Sequence, residues 1–284
     1  MPLASEATVH HALNIAVGPL TITGFGIAVA AAFVLGQMVA SKEMERRGLD
    51  SNPVPDIVAA TLVGFIIGAK IYYAVLTHSL DSLFTRGGFV FWGGFAGSVA
   101  AGALMIRIKK LRFWQIADVF CIGLAGGYSV GRTGCWAVGD DYGKPWPGGW
   151  LSVKFPEGVP PSTAGNMSST FGVHFPQGTN PLDVIAVYPT QLLEVLLGFV
   201  VFLLVWRLRE HKHAEGWLFG VWAVYAGVER FLVEFLRAKD DRISGLLGGL
   251  SAAQVISIGI FVFGLIWMRM RRDVTAAHPG IHAR

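Results

Sequence analysis

The chain has 284 residues, of which 53% are apolar and only 15% charged, with a mean hydropathy of +0.52. Water-soluble domains carry roughly a quarter charged residues, so the composition excludes an ordinary soluble protein and points to an integral membrane protein. The net charge of +4 and pI ≈ 9.2 would suit a nucleic-acid partner. The cations are instead dispersed over the connections between apolar blocks, which excludes that reading.

A membrane-crossing helix needs about 20 apolar residues. Seven stretches meet this requirement, at roughly 19–40, 55–77, 88–106, 114–137, 188–206, 215–236 and 250–268. The expectation is an all-α bundle of about seven transmembrane helices, forming one membrane domain over residues 1–284. The N-terminal run "MPLASEATVHHALNIAV" has no basic n-region and no A-x-A site after it, so the first span is expected to be retained. Lys42, Arg46 and Arg47 follow the first span, and Arg107, Lys109, Lys110 and Arg112 follow the third. Arg207, Arg209 and Lys212 follow the fifth, and Arg269, Arg271, Arg272 and Arg284 occupy the tail. The alternate segments carry fewer: Arg86, Lys144, Lys154, Arg237, Lys239 and Arg242. The positive-inside rule therefore predicts an N-terminus outside, in the periplasm, and a cytoplasmic C-terminus.

Small residues recur every four positions in three spans: Gly64 and Gly68; Gly94, Ser98 and Gly102; Gly123, Gly127 and Gly131. In lipid this spacing lets helix backbones approach closely. Cys121 and Cys135 share one span, about 21 Å apart at the helical rise, so they cannot bridge each other. No Cys/His cluster has metal-ligand spacing, and neither a metal nor a cofactor is expected. Trp92 and Trp136 fall at outer ends of spans, and Trp114, Trp206, Trp217 and Trp267 at inner ends, as interfacial aromatic belts do. Residues 138–187 form one long outward, periplasmic loop rich in Gly, Pro, Ser and Thr ("PWPGGW", "EGVPPSTAGNMSST"). Loops of this length usually carry function, and a partly ordered lid is expected.

The fourth span ends in "SVGRTGCWAVGDDYG", which places an arginine in oil. With the predicted orientation, Arg132 lies roughly 8 Å below the outer surface, Arg230 roughly 9 Å and Lys70 about 10 Å, at 1.5 Å per residue. Gln191 and Glu194 descend from outside into the same layer. Glu234 stacks one turn from Arg230, and Asp140 and Asp141 sit just past the fourth span. Ionisable residues at such depth are costly and normally face a cavity. Lys70 has snorkelling as its alternative, Glu194 and Glu229 have simple pairing, and Asp118 reads as a helix-start residue. Arg132 and Arg230, at one depth on different helices, point to a shared anionic guest. Guanidinium forks suit phosphate oxygens, and a phosphate at this depth is a phospholipid headgroup.

At these residues the sequence resembles bacterial prolipoprotein diacylglyceryl transferases. "GRTGCWAVGDDYG" is similar to their signature, close to G-R-x-G-N-F-x-N-x-E-x-x-G. In order, "ERRGLD", "GFIIGAKIYY", "FVFWGGFAG", "YPTQLLE" (family H-P-[ST]-Q-L-Y-E), "ERFLVEFLRAKD" and "LSAAQVIS" agree as well. The resemblance implies a multi-pass enzyme of the bacterial inner membrane. Its reaction moves the diacylglyceryl group of phosphatidylglycerol to the lipobox cysteine thiol of a prolipoprotein, forming a thioether and releasing glycerol phosphate. By position, Arg132 matches the arginine that holds the phospholipid, Asp140 the signature acid and Gly143 its last glycine. Gln191 and Glu194 match the P-x-Q-x-x-E piece, and Arg230, Glu234 and Arg237 the basic–acidic run of the later helix. Lys70 and Trp92 complete the expected lipid contacts. Arg132, Arg230 and Tyr188 are the expected catalytic set, with Tyr188 or a bound water near the thiol.

The chain departs from the pattern at several points. Trp92 stands where histidine or tyrosine is usual, Cys135 and Val138 replace signature asparagines, Tyr188 replaces histidine and Thr23 a tyrosine. Indole cannot accept a proton, and a phenol is a poor base at neutral pH. The phosphate clamp is kept while the proton chemistry is thinned. Two alternatives stand beside the transferase: a paralogue using the same lipid with another acceptor, and a non-catalytic phospholipid-binding or transport protein.

Overall fold

The structure is a computed structural model that describes residues 7–18, 20–83, 90–238 and 249–272. Arg86, Lys239, Arg242 and Arg284, used above for orientation, lie outside the described residues. Among the described residues the regular structure is helical apart from two short two-stranded pieces. Its helices are α1 (Gly24–Arg46), α2 (Pro53–Thr77), α3 (Phe91–Ile108), α4 (Phe113–Val138), α5 (Ala164–Phe171), α6 (Thr190–Leu208), α7 (Trp217–Val233) and α8 (Ala252–Met270). Each expected span has a helix, and α5 is an addition inside the long loop. Five of them, α1, α2, α4, α6 and α8, are long and apolar enough to cross a membrane, which makes this a membrane protein.

The first helix starts later than its apolar run. Residues Asn14–Val17 (β2) and Leu20–Thr23 (β3) pair as an antiparallel hairpin, and Thr23 then caps α1 by accepting from the Gly26 amide at 3.1 Å. Thr8–Val9 (β1) runs parallel to Val153–Lys154 (β4) in the long loop. The fourth helix stops at Gly139, whose φ of +68° is the left-handed turn that ends many helices. Ser251 and Gln254 close a reciprocal capping box on α8.

Helix α2 packs on α3, α1 on α4, α4 on α6 and α7 on α8. Glycines set two of these contacts. A Cβ on Gly123 would lie 2.7 Å from the Gly36 carbonyl, and one on Gly127 3.2 Å from that of Ala32. Gly131, the third of the series, faces open space. Each four-residue step overshoots a full turn by about 40°, so the stripe drifts off the α1 contact by its third member. On α3 the backbone contact with Gly64 and Gly68 is made by Gly97 and Gly93. Ser98 meets α2 through its hydroxyl, which donates to the Thr61 carbonyl at 2.9 Å.

Three apolar clusters hold the bundle. Ala40, Met44, Val54, Ile57, Ile106, Ile116 and Val119 join α1 to α4 at the end expected to be cytoplasmic. Val39, Cys121, Ile122, Ala125, Val201, Val205 and Leu218 fill the middle of α1, α4, α6 and α7. At the opposite end the long loop folds around Tyr142, Val153, Phe155, Met167 and Val187, and the His10 ring sits against Trp136 with centroids 4.5 Å apart. Both cysteines are free and buried.

Asp118, expected to start its own helix, lies in the second turn of α4 and serves another one. Its carboxylate accepts from the amides of Gly216 at 2.7 Å and Phe219 at 2.8 Å, satisfying donors that the first turn of α7 leaves open. The cap acts across the fold, so no local pattern announces it.

Candidate functional site

The last two turns of α4, the first turn of α6 and the end of α7 meet beneath the long loop. Past Gly139 the chain makes a second left-handed residue, Asp141, with φ +55°, a conformation that aspartate tolerates better than most residues. The start of α6 fixes this turn: Gln191 Nε2 donates to the Asp140 carbonyl at 2.6 Å and Thr190 Oγ1 to that of Asp141 at 2.8 Å. Gly143 is the crossing point of two other segments, its amide donating to the Tyr188 carbonyl at 2.9 Å. A Cβ there would lie 2.6 Å from both the Leu236 carbonyl and Tyr188 Cβ, so only glycine fits. Its part in the site is to let the backbones carrying Tyr188 and Arg237 approach.

This frame brings three guanidinium groups onto one carboxylate. Glu194, on the inward face of α6, is 0% exposed. Arg132 reaches it through Nη2, Arg230 Nη1 lies 3.6 Å and Arg237 Nη1 3.5 Å from its Oε1. The guanidiniums are themselves shared. Arg132 Nη1 donates to Asp141 Oδ2 at 2.9 Å and to the Cys135 thiol at 3.2 Å. Arg237 pairs with the other Asp141 oxygen, and Arg230 Nη2 meets Glu234 at 2.6 Å across one helical turn. Three cations thus face Glu194, Glu234 and Asp141, a balance that lowers the cost of burying the charges. Arg132 Nε, Arg230 Nη1 and Arg237 Nε are buried and make no hydrogen bond among the described residues. Arg132 and Arg230 keep 13% and 28% of their side chains exposed.

The expected residues divide. Arg132, Arg230, Arg237, Glu194 and Glu234 are joined directly, and Gln191 and Gly143 shape the backbone around them. Asp140, expected as the signature acid and a lipid contact, makes no ion pair among the described residues; the ion pairs go to its neighbour Asp141. Burial, and then the Asp141 charge, push the Asp140 carboxyl up to about 6. For Asp141 burial acts upward too, but the Arg237 and Arg132 guanidiniums outweigh it and hold the group well below the usual carboxylate range. Tyr188, expected near the thiol, stacks its ring on Trp146 at 4.3 Å and 6°. Among the described residues its hydroxyl makes no hydrogen bond. Lys70 is half-buried on α2, and Trp92, on α3, meets Phe95 edge-on at 6.4 Å. Both belong to the α2–α3 pair.

Cys135, Asp140 and Asp141 place three ligand-type atoms within 4.8 Å of one another. A cation there would compete with Arg132 and Arg237 for the same thiol and carboxylate, so the donor set favours the arginines. One side chain that depth did not assign also enters. Tyr128 lies one turn before Arg132 on α4, and its hydroxyl touches both Glu194 and Glu229. Four-residue spacing from Arg132 was the only sign of it in the sequence.

In this membrane protein Arg132 on α4, Arg230 on α7 and Arg237 just past the end of α7 share the buried carboxylate of Glu194, beneath the long loop. Comparison with known proteins shows its family. Residues 11–270 match the family model of prolipoprotein diacylglyceryl transferase. The chain is 29% identical over 268 residues to the phosphatidylglycerol–prolipoprotein diacylglyceryl transferase of Bacillus cytotoxicus, covering 92% of each. It is 28% identical over 282 residues to that of Stenotrophomonas maltophilia, covering 94% of each, and 28% identical over 273 residues to that of Bacillus mycoides, covering 93% of each. The chain belongs to the prolipoprotein diacylglyceryl transferase family and is a transferase.

Proposed function

We propose that this protein transfers the diacylglyceryl group of phosphatidylglycerol to the lipobox cysteine thiol of prolipoproteins, at the outer leaflet of the bacterial inner membrane. The names of its relatives supply donor and acceptor class. The observation that carries the reading is the convergence of Arg132, Arg230 and Arg237 on Glu194, with three buried guanidinium N–H groups making no hydrogen bond. A buried donor without a partner costs free energy, and phosphate oxygens are the acceptors that guanidinium forks fit. Arg132 and Arg230 take the lipid phosphate while Glu194 and Glu234 keep their orientation.

Charge develops on the phosphate as the glyceryl C–O bond breaks, and pre-oriented cations stabilise that charge without reorganising. Their positive field also favours the thiolate of the acceptor. Gln191 and Gly143 hold the loop above, and Lys70 and Trp92 flank the lipid from the α2–α3 side. No cofactor is required by this chemistry. Seven helices cross the membrane as one domain, with the N-terminus and the 138–187 loop on the periplasmic side and the C-terminus in the cytoplasm. Arg46, Arg47, Arg107, Lys109 and Arg209 gather at the other end of the bundle from the arginine cluster, in line with this orientation.

Incubating the purified chain with phosphatidylglycerol and a lipobox peptide tests the reading by mass spectrometry. The peptide is expected to gain one diacylglyceryl mass on cysteine. No added mass, with the lipid intact, refutes it.

A further inference from the structure

Glu229 precedes Arg230 in α7 yet takes no part in the arginine pairing. It is 8% exposed. Among the described residues its carboxyl has no cation within 4.0 Å and one hydrogen-bond partner, the Tyr128 hydroxyl. That hydroxyl lies 3.3 Å from Glu229 Oε1 and 3.4 Å from Glu194 Oε1. The Tyr128 ring is fixed against α6, where a Cβ on Gly198 would come within 2.8 Å of Cδ1. The hydroxyl therefore stands between two buried carboxyl groups.

Two oxygen–oxygen contacts between acceptors need two hydrogens, and a tyrosine hydroxyl supplies one. Glu194 faces three guanidiniums within 4.0 Å, which favour it over Glu229 as the acceptor of the tyrosine hydrogen. The second hydrogen is then placed on Glu229, which has no cation within 4.0 Å among the described residues. The groups form a line, from the Glu229 carboxyl through the Tyr128 hydroxyl to Glu194 and the guanidiniums.

Resting on the transferase reading above, we propose that Tyr128 and Glu229 carry the proton of the reaction. Tyr128 is the catalytic relay at the phosphate, and Glu229 is the positioning residue that holds the proton behind it. As the acceptor sulfur attacks the glyceryl carbon, the S–C bond forms and the C–O bond breaks, its electron pair moving to the phosphate oxygen. That oxygen takes the Tyr128 proton, Tyr128 takes the Glu229 proton, and the proton given up by the thiol refills Glu229. The net movement is one proton from sulfur to phosphate, and no other reactant is consumed. This supplies what Trp92 and Tyr188 do not, since indole accepts no proton and the Tyr188 hydroxyl is bonded to nothing among the described residues.

The test measures turnover of phosphatidylglycerol and a lipobox peptide by the full chain in lipid nanodiscs, across pH. Wild type is compared with Glu229→Gln, Glu229→Asp and Tyr128→Phe. The charged and titratable groups facing Glu229 are Tyr128 and Arg132 from α4, Glu194 from α6, and Arg230 on its own helix. On the α8 side the first is Arg269, at the far end of that helix. Glu229→Gln is expected to lower kcat about 10²–10⁴-fold with KM little changed, and to lose the fall in rate at alkaline pH. Tyr128→Phe should match it, the double variant should be no worse, and Glu229→Asp should recover part of the rate. A wild-type rate and profile in Glu229→Gln overturns the proposal, as does an equal loss at every pH that aspartate does not relieve. Infrared spectroscopy of the wild type needs no variant and no turnover: absence of a protonated-glutamate carbonyl band also overturns it. A wild type that turns over no peptide but shows that band removes the transferase reading and leaves the proton where we place it.

Discussion

Replacing Glu194 with glutamine removes the charge that three guanidiniums share while preserving the size of the side chain. Arg230 and Arg237 each sit about 3.5 Å from one of its oxygens, and with an effective dielectric near 20 each contact is worth about 4–5 kcal/mol of gross Coulomb attraction. Arg132 adds a third contact at least as close. Asp141 and Glu234 keep part of the balance, and desolvation offsets much of the rest. The expected net cost is therefore that of breaking one buried pair, about 3–5 kcal/mol. Denaturant unfolding in neutral-lipid bicelles, followed by tryptophan fluorescence, measures it. Repeating the measurement with phosphatidylglycerol present gives the sharper result, because a lipid phosphate can take the place of the missing anion and should stabilise Glu194→Gln more than wild type. An unchanged unfolding midpoint, or equal stabilisation of both proteins by the lipid, refutes the shared-carboxylate reasoning.

Arg132→Lys keeps the charge but loses Nε and the fork, so turnover in the peptide assay should fall about 10²–10³-fold while the protein stays folded by circular dichroism. Asp140 titrates near 6 in the folded protein, above the ordinary aspartate value, so its ionisation costs stability as pH rises through that range and costs nothing below pH ~4. Asp140→Asn should accordingly be more stable than wild type at pH 7 and equal to it at the acid end, read as unfolding midpoints across pH. Tyr188→Phe preserves the stack on Trp146 and removes only a hydroxyl without a hydrogen bond; its kcat should remain close to wild type, and a large loss would restore Tyr188 to the chemistry.

Helical periodicity made part of this site legible in advance. The Arg230–Glu234 pair follows from four-residue spacing, and the common depth of Arg132, Arg230 and Glu194 follows from counting residues along apolar spans. What could not be read was set by contacts distant in sequence. Whether Asp140 or Asp141 meets the arginines is decided by two consecutive departures from helix, at Gly139 and Asp141, held in place from the start of α6. Tyr128 meets Glu229 only because α4 and α7 lie against each other, and Asp118 finds its amides on α7 for the same reason. The hairpin before α1 was hidden by composition: Leu20–Thr23 is as apolar as the helix it precedes. The glycine stripes pointed correctly to close packing, but helical drift decided which members make it.

The central claim is that Arg132 and Arg230 hold a lipid phosphate. Solid-state NMR dipolar recoupling between the phosphorus of bound phosphatidylglycerol and nitrogen-15 in arginine side chains measures this most directly. A coupling at hydrogen-bonding range is expected in wild type, weakened in Arg132→Lys and lost when Arg230 is also replaced by lysine. Phosphorus with no guanidinium nitrogen nearby, in a preparation that still lipidates peptide, would contradict it.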